Sequence, residues 1–162
     1  FASFAVLLNF PRFNKMKGMG QIVTWSVRDE TLHTESAIKL FRTFVSENPE
    51  VLTSQLEKDI YQACETVISH EDAFINLAFE LGGVKGLEAN QVKDYIRFIA
   101  DLRLTQLGME KLFNIKEHPL PWMVEMLGGV EHTNFFEGRA TEYSRASTKG
   151  SWDETFKDAF GT

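Results

Sequence analysis

The chain has 162 residues, 43% of them hydrophobic, which is enough for one domain with a sizeable core. A net charge of −6 argues against a nucleic-acid backbone as the main partner. The single cysteine, Cys64, excludes a disulfide within this sequence and fits a reducing, cytoplasmic setting, and no apolar run is long enough to span a bilayer.

The periodicity predicts an all-α chain. Residues 1–9 read as the end of a buried helix that stops before Pro11, with no capping residue ahead of it, so the sequence is expected to start in mid-element. A short connection follows, with Arg12, Lys15 and Lys17 facing solvent. The second helix is predicted over 20–46 and is closed by Asn48-Pro49. The third is predicted over 50–81, with Pro49 suited to its first turn and Gly82-Gly83 as its stop. His70, Glu71 and Asp72 lie within it. They are adjacent rather than three or four apart, so they point in different directions and read as structural.

Asn90 is expected to cap a fourth helix over 91–107, which Gly108 ends. Its Asp94, Arg97 and Asp101 read as a solvated face with modest ion pairs. Residues 109–113 read as short helix or turn, and 122–127 as a short apolar helix. His118, ahead of a proline, and His132, in a Gly-rich stretch, are given no role. From Glu131 the aliphatics thin out, so the chain divides into a helical domain over 1–130 and a flexible tail over 131–162 that stays mobile unless bound. Trp152, Phe156 and Phe160 recur every four residues in that tail beside Asp153, Glu154 and Asp158. This is the pattern of a peptide that docks in a partner's groove.

The chemistry is concentrated in residues 25–33. Glu30 and His33 form the only Glu-x-x-His of the sequence. On a helix, residues three apart share a face, so a carboxylate and an imidazole point the same way. Ferritin-like four-helix proteins hold two metal ions with such a pair on each of two helices and a lone carboxylate on each of the others. Ser26 is one turn before Glu30 on the same face. Asp29 lies about 100° round the helix, placed to act as an acceptor for a ligating histidine. The metal reading requires Glu30 and His33 to project together into an interior that other helices help to enclose.

These residues carry a family resemblance. Gly20-Gln-Ile-Val-Thr-Trp-Ser-Val-Arg-Asp-Glu-Thr-Leu-His-Thr-Glu35 resembles the second metal-ligand helix of the small, radical-generating subunit of class I ribonucleotide reductase. Ser3-Phe-Ala5, Tyr95-Ile-Arg-Phe-Ile-Ala-Asp-Leu-Arg103, His118-Pro-Leu-Pro-Trp-Met123 and Asn134-Phe-Phe-Glu-x-Arg-x-x-Glu-Tyr143 are similar to further segments of that family, in the same order. The resemblance covers essentially the whole chain and matches the C-terminal half of a family member.

The resemblance implies a partial ferritin-like helical bundle with Glu30 and His33 as metal ligands. The cofactor it implies is a dinuclear centre of two irons, two manganese ions or one of each, which activates O₂. It also implies that Asp29 and Tyr143 belong to a radical-transfer relay, and that the tail anchors Trp152, Phe156 and Phe160 bind the large catalytic subunit. The expected assembly is a homodimer with that subunit, carrying out reduction of ribonucleotides to deoxyribonucleotides, with neither nucleic acid nor membrane as partner. The remaining ligands and the radical-bearing residue fall outside this sequence, so this stretch alone is expected to be inactive. A separate chain supplying the N-terminal half is one expectation. Two alternatives stand beside the enzyme reading: a non-catalytic fragment that only binds the large subunit, and another ferritin-like dimetal protein.

Overall fold

A computed structural model of the chain describes residues 1–128. Among them are five α-helices, one short 3-10 turn and no strand. The helices are α1 (Ala2–Arg12), α2 (Lys17–Glu47), α3 (Ser54–Phe79), α4 (Ala89–Leu107) and α5 (Pro121–Gly128). The expected domain boundary near residue 130 lies outside the described residues, as do His132, Tyr143, Trp152, Phe156 and Phe160.

Element types match the periodicity, and the boundaries move where caps decide. α1 continues through Pro11 to Arg12 rather than stopping before it, because proline's fixed φ is helical and only its N–H is lost. The predicted third helix is interrupted near its start. Residues Pro49–Val51 form a 3-10 turn, and the helix restarts behind Thr53, whose hydroxyl accepts the Leu56 N–H at 3.2 Å. At α4 the cap is Glu88 rather than Asn90. Its backbone N–H donates to the Gln91 side chain at 3.2 Å, one half of a reciprocal capping box. Gly108 ends α4 in the left-handed region, at φ 90°. Residues 109–113 are turn and coil, not helix.

α1 is the central element and packs against α2, α3 and α4. Its small Ala2 and Ala5 are fully buried beside Leu8, which lets neighbouring backbones approach. They meet Ile68 and Ile75 of α3, Val92, Tyr95 and Ile96 of α4, and Leu120 and Met123 at the start of α5. Gly20 permits the α1–α2 contact, since a Cβ there would fall 2.6 Å from Pro11 Cγ.

Polar contacts between elements lock this arrangement, and several differ from expectation. Arg12 is not simply solvated: its guanidinium donates to the Gly86 carbonyl at 2.9 Å and sits over the Phe13 and Trp122 rings. Asn9, buried, donates to the Lys85 carbonyl at 2.9 Å. Glu71 of α3 accepts the Ala2 backbone N–H at 3.0 Å, tying α3 to α1. Arg97 does not pair along its own helix. It makes a bidentate contact with Asp72 of α3 at 2.7 and 3.0 Å, tying α3 to α4. Asp101 is buried, not solvated. Its carboxylate accepts the backbone N–H groups of Leu112, Phe113 and Ile115 at 2.8 to 3.0 Å, fixing the segment that follows α4.

Two predictions follow from these bonds. Asp101→Ala leaves three backbone donors without their acceptor and should cost about 3 kcal/mol or more in denaturant unfolding, whereas Asp101→Asn, which keeps one acceptor oxygen, should cost less. The Arg97 hydrogen bond holds the Asp72 carboxyl below its ordinary value, with burial working against it. A depressed carboxyl contributes stability above its unfolded pKa of about 3.9 and loses it as pH falls through the folded value. Asp72→Asn should therefore be less stable than the native protein in urea at neutral pH, and the gap should close at acid pH.

Candidate metal centre

Glu30 and His33 stand on the middle of α2, where the helix has left the core. Only Gly20 and Val23 of α2 are buried. The helix through this region is regular, and the hydroxyls of Thr24, Thr31 and Thr34 donate back to the carbonyls of Gly20, Val27 and Glu30 at 2.7 to 2.9 Å. These polar donors are thus satisfied within the helix and do not compete for the neighbouring carboxylates.

The predicted pair comes together. His33 Nδ1 is 3.6 Å from Glu30 Oε2, and His33 Nε2 is 3.9 Å from Asp29 Oδ2. Both separations exceed a hydrogen bond, so neither carboxylate is committed to the ring. The ring turns one nitrogen to each acid. This suits an imidazole that binds a metal through one nitrogen while the other faces an acceptor.

The expected enclosure is not present in the described residues. Glu30 is 57% exposed and His33 67% exposed. The physical reason is that α1 and α4 cover α2 from one side only, leaving Ile22, Leu32, Leu40 and Phe44 exposed as well. Glu30 borders a cavity of about 160 Å³ walled by Phe4, Val27, Tyr95, His118 and Met123. Asp29 opens instead onto a groove shared with Trp25, Ser26 and Leu32, so Ser26 lines the Asp29 side rather than the Glu30 cavity.

The cavity wall holds residues that sequence reasoning missed. Burial pushes the Tyr95 phenol up to about 12, with Arg103 pulling it the other way, so it stays protonated across the physiological range. His118, given no role from sequence, accepts the Leu120 N–H on Nδ1 at 3.1 Å and lies against the Tyr95 and Phe98 rings. Burial pushes its pKa down. No local spacing reveals this, since the partners of His118 lie on α4; the prolines on either side of Leu120 are the sole local hint of a fixed turn.

As a donor set, one carboxylate and one neutral-capable imidazole fit iron or manganese. They amount to about a third of the ligand set such a site uses. No group of three or more His, Cys, Asp or Glu side chains placed to hold a metal occurs among the described residues. The described helices also include none long and apolar enough to cross a membrane.

Comparison with known proteins gives a consistent result. The family model for the ribonucleotide reductase small chain matches residues 1–119. The chain is 45% identical over 153 residues to a protein of Invertebrate iridescent virus 3 named "Probable ribonucleoside-diphosphate reductase small subunit", covering 94% of this chain and 41% of the relative. It is 36% identical over 152 residues to the ribonucleoside-diphosphate reductase subunit beta of Chlamydia pneumoniae, covering 94% and 43%. The fold is similar to that of the ribonucleotide reductase R2 subunit from Clostridium botulinum, with a TM-score of 0.73 at 24% identity over 78% of this chain and 40% of that one. The chain thus spans about two fifths of the length of these relatives. Its helices are a partial ferritin-like bundle, and the chain belongs to the ribonucleotide reductase small-chain family.

Proposed function

We propose that this chain is part of the radical-generating small subunit of a class I ribonucleoside-diphosphate reductase, acting with a large catalytic subunit to reduce ribonucleotides to deoxyribonucleotides. The observation that carries the reading is the shared orientation of Glu30 and His33, 3.6 Å apart on one face of α2, in a chain of this family. In this reading the exposed side of that face is completed by residues outside this sequence, on the same polypeptide or a second one, and the subunit is a homodimer. A dinuclear iron, manganese or mixed centre would supply oxidising power drawn from dioxygen. The single thiol Cys64 suits a reducing, cytoplasmic compartment.

The roles of the chain's own residues follow from their chemistry. Glu30 and His33 would hold the metal. Asp29, with Oδ2 3.9 Å from Nε2, would accept from the second nitrogen of a metal-bound His33 and so orient the ring, and it links the ring to the groove on the far side of α2. Tyr143 is the outermost redox residue, because a phenol can release a proton and an electron together. Trp152, Phe156 and Phe160 anchor the segment 131–162 in a groove of the large subunit.

Two experiments test this. His33→Ala in the native-length protein should reduce tightly bound iron or manganese by about half or more, measured by elemental analysis after anaerobic loading, with helix content unchanged. Native metal content in that variant contradicts the ligand assignment. Tyr143→Phe should abolish nucleotide reduction while leaving metal content and large-subunit affinity unchanged; surviving reduction contradicts the relay. Tight large-subunit binding by a native protein that takes up no metal would mark a docking module instead.

A further inference from the structure

Among the described residues, one buried side-chain nitrogen or oxygen has no hydrogen-bond partner: Nε of Arg103, near the C-terminal end of α4. Its Nη1 donates to Gln106 Oε1 at 2.7 Å, which holds the outer end of the guanidinium. The Nε–H, nearer the stem, is shut off from solvent with nothing to accept it. A charged donor is costly to bury in that state, and folded proteins satisfy almost all such groups.

Arg103 lines the cavity that Glu30 borders. Glu30 is the one acid among the described residues of that lining, and Arg103 the one Arg or Lys. The other polar groups there are already engaged. The Thr31 and Thr34 hydroxyls donate to carbonyls of their own helix, and His118 Nδ1 accepts the Leu120 N–H. The Tyr95 phenol keeps its proton, so it adds a donor to the wall rather than an anion. The charge of Arg103 reaches that phenol, which puts the guanidinium within range of the Tyr95 side of the cavity. Glu30 turns Oε2 towards His33 Nδ1, at 3.6 Å, and this leaves Oε1 for a second partner. A carboxylate that ligates a metal is as a rule hydrogen-bonded in turn, and that outer bond orients it.

We infer that Arg103 is a positioning residue for Glu30: across this cavity its guanidinium takes one carboxylate oxygen and leaves the other, beside His33, for the metal. The contact closes by rotation of two long side chains, with α2 and α4 in place. Its consequence rests on the reading of Glu30 as a metal ligand; the contact itself does not.

The test uses the native-length, metal-free protein, with manganese(II) under anaerobic conditions as the probe. Arg103→Met removes the donor and keeps an apolar stem. It should weaken manganese(II) binding about tenfold, read from the EPR signal of the unbound ion, with helix content unchanged. Charge alone predicts the opposite, since losing a nearby cation favours a metal ion. Arg103→Lys should fall between the Met variant and the native protein, and it reads the effect by itself where the Met variant fails to fold. In urea without metal, Glu30→Ala and Arg103→Met together should lower the unfolding midpoint by less than the sum of their separate shifts. Additive midpoints overturn the contact. Manganese(II) affinity unchanged or raised in Arg103→Met overturns the positioning role, as does a Lys variant no better than Met. Midpoints that couple while Glu30→Ala binds manganese(II) as tightly as the native protein overturn the ligand reading, and with it the positioning role, but leave the contact in place.

Discussion

The close approach of α1 to α2 is the contact on which the remaining geometry depends. Gly20 lies against Pro11, and a side chain at Gly20 would drive the helices apart because a Cβ would sit 2.6 Å from the proline ring. α1 in turn is held by groups from elsewhere: Glu71, which accepts the Ala2 N–H, and the Lys85 and Gly86 carbonyls, which accept from Asn9 and Arg12. With α1 immobilised, the direction in which α2 leaves the core is set. The face that carries Glu30 and His33 then turns to one side of the bundle rather than to an arbitrary direction. A functional pair on an exposed part of a long helix is thus oriented by packing several turns away from it.

Much of this was legible in the sequence wherever the physics is local. The apolar period showed the four long helices, and Gly108 gave a correct stop because a left-handed residue ends a helix by itself. The Glu-x-x-His spacing placed Glu30 and His33 together because helix geometry alone decides that. Where the reading moved, caps were the reason: Thr53 and Glu88 start helices that Pro49 and Asn90 were expected to start.

The features that were not legible depend on partners distant in sequence. Arg97 has acids at its own helix neighbours Asp94 and Asp101, yet its partner is Asp72, 25 residues earlier. Asp101 resembles any surface carboxylate until the segment after α4 folds back and presents three N–H groups to it. His118 becomes a packed ring only because Tyr95 and Phe98 receive it. Enclosure of Glu30 and His33 was likewise beyond a local reading, since it depends on what covers the open side of α2.

The central claim is that Glu30 and His33 act as one ligand unit for a transition metal in this small chain. Anomalous diffraction at the iron and manganese edges from crystals of the metal-loaded, native-length protein tests it directly. The account predicts an anomalous peak bonded both to a Glu30 carboxylate oxygen and to an imidazole nitrogen of His33. A metal bound by other residues with both of these side chains left in solvent would contradict it.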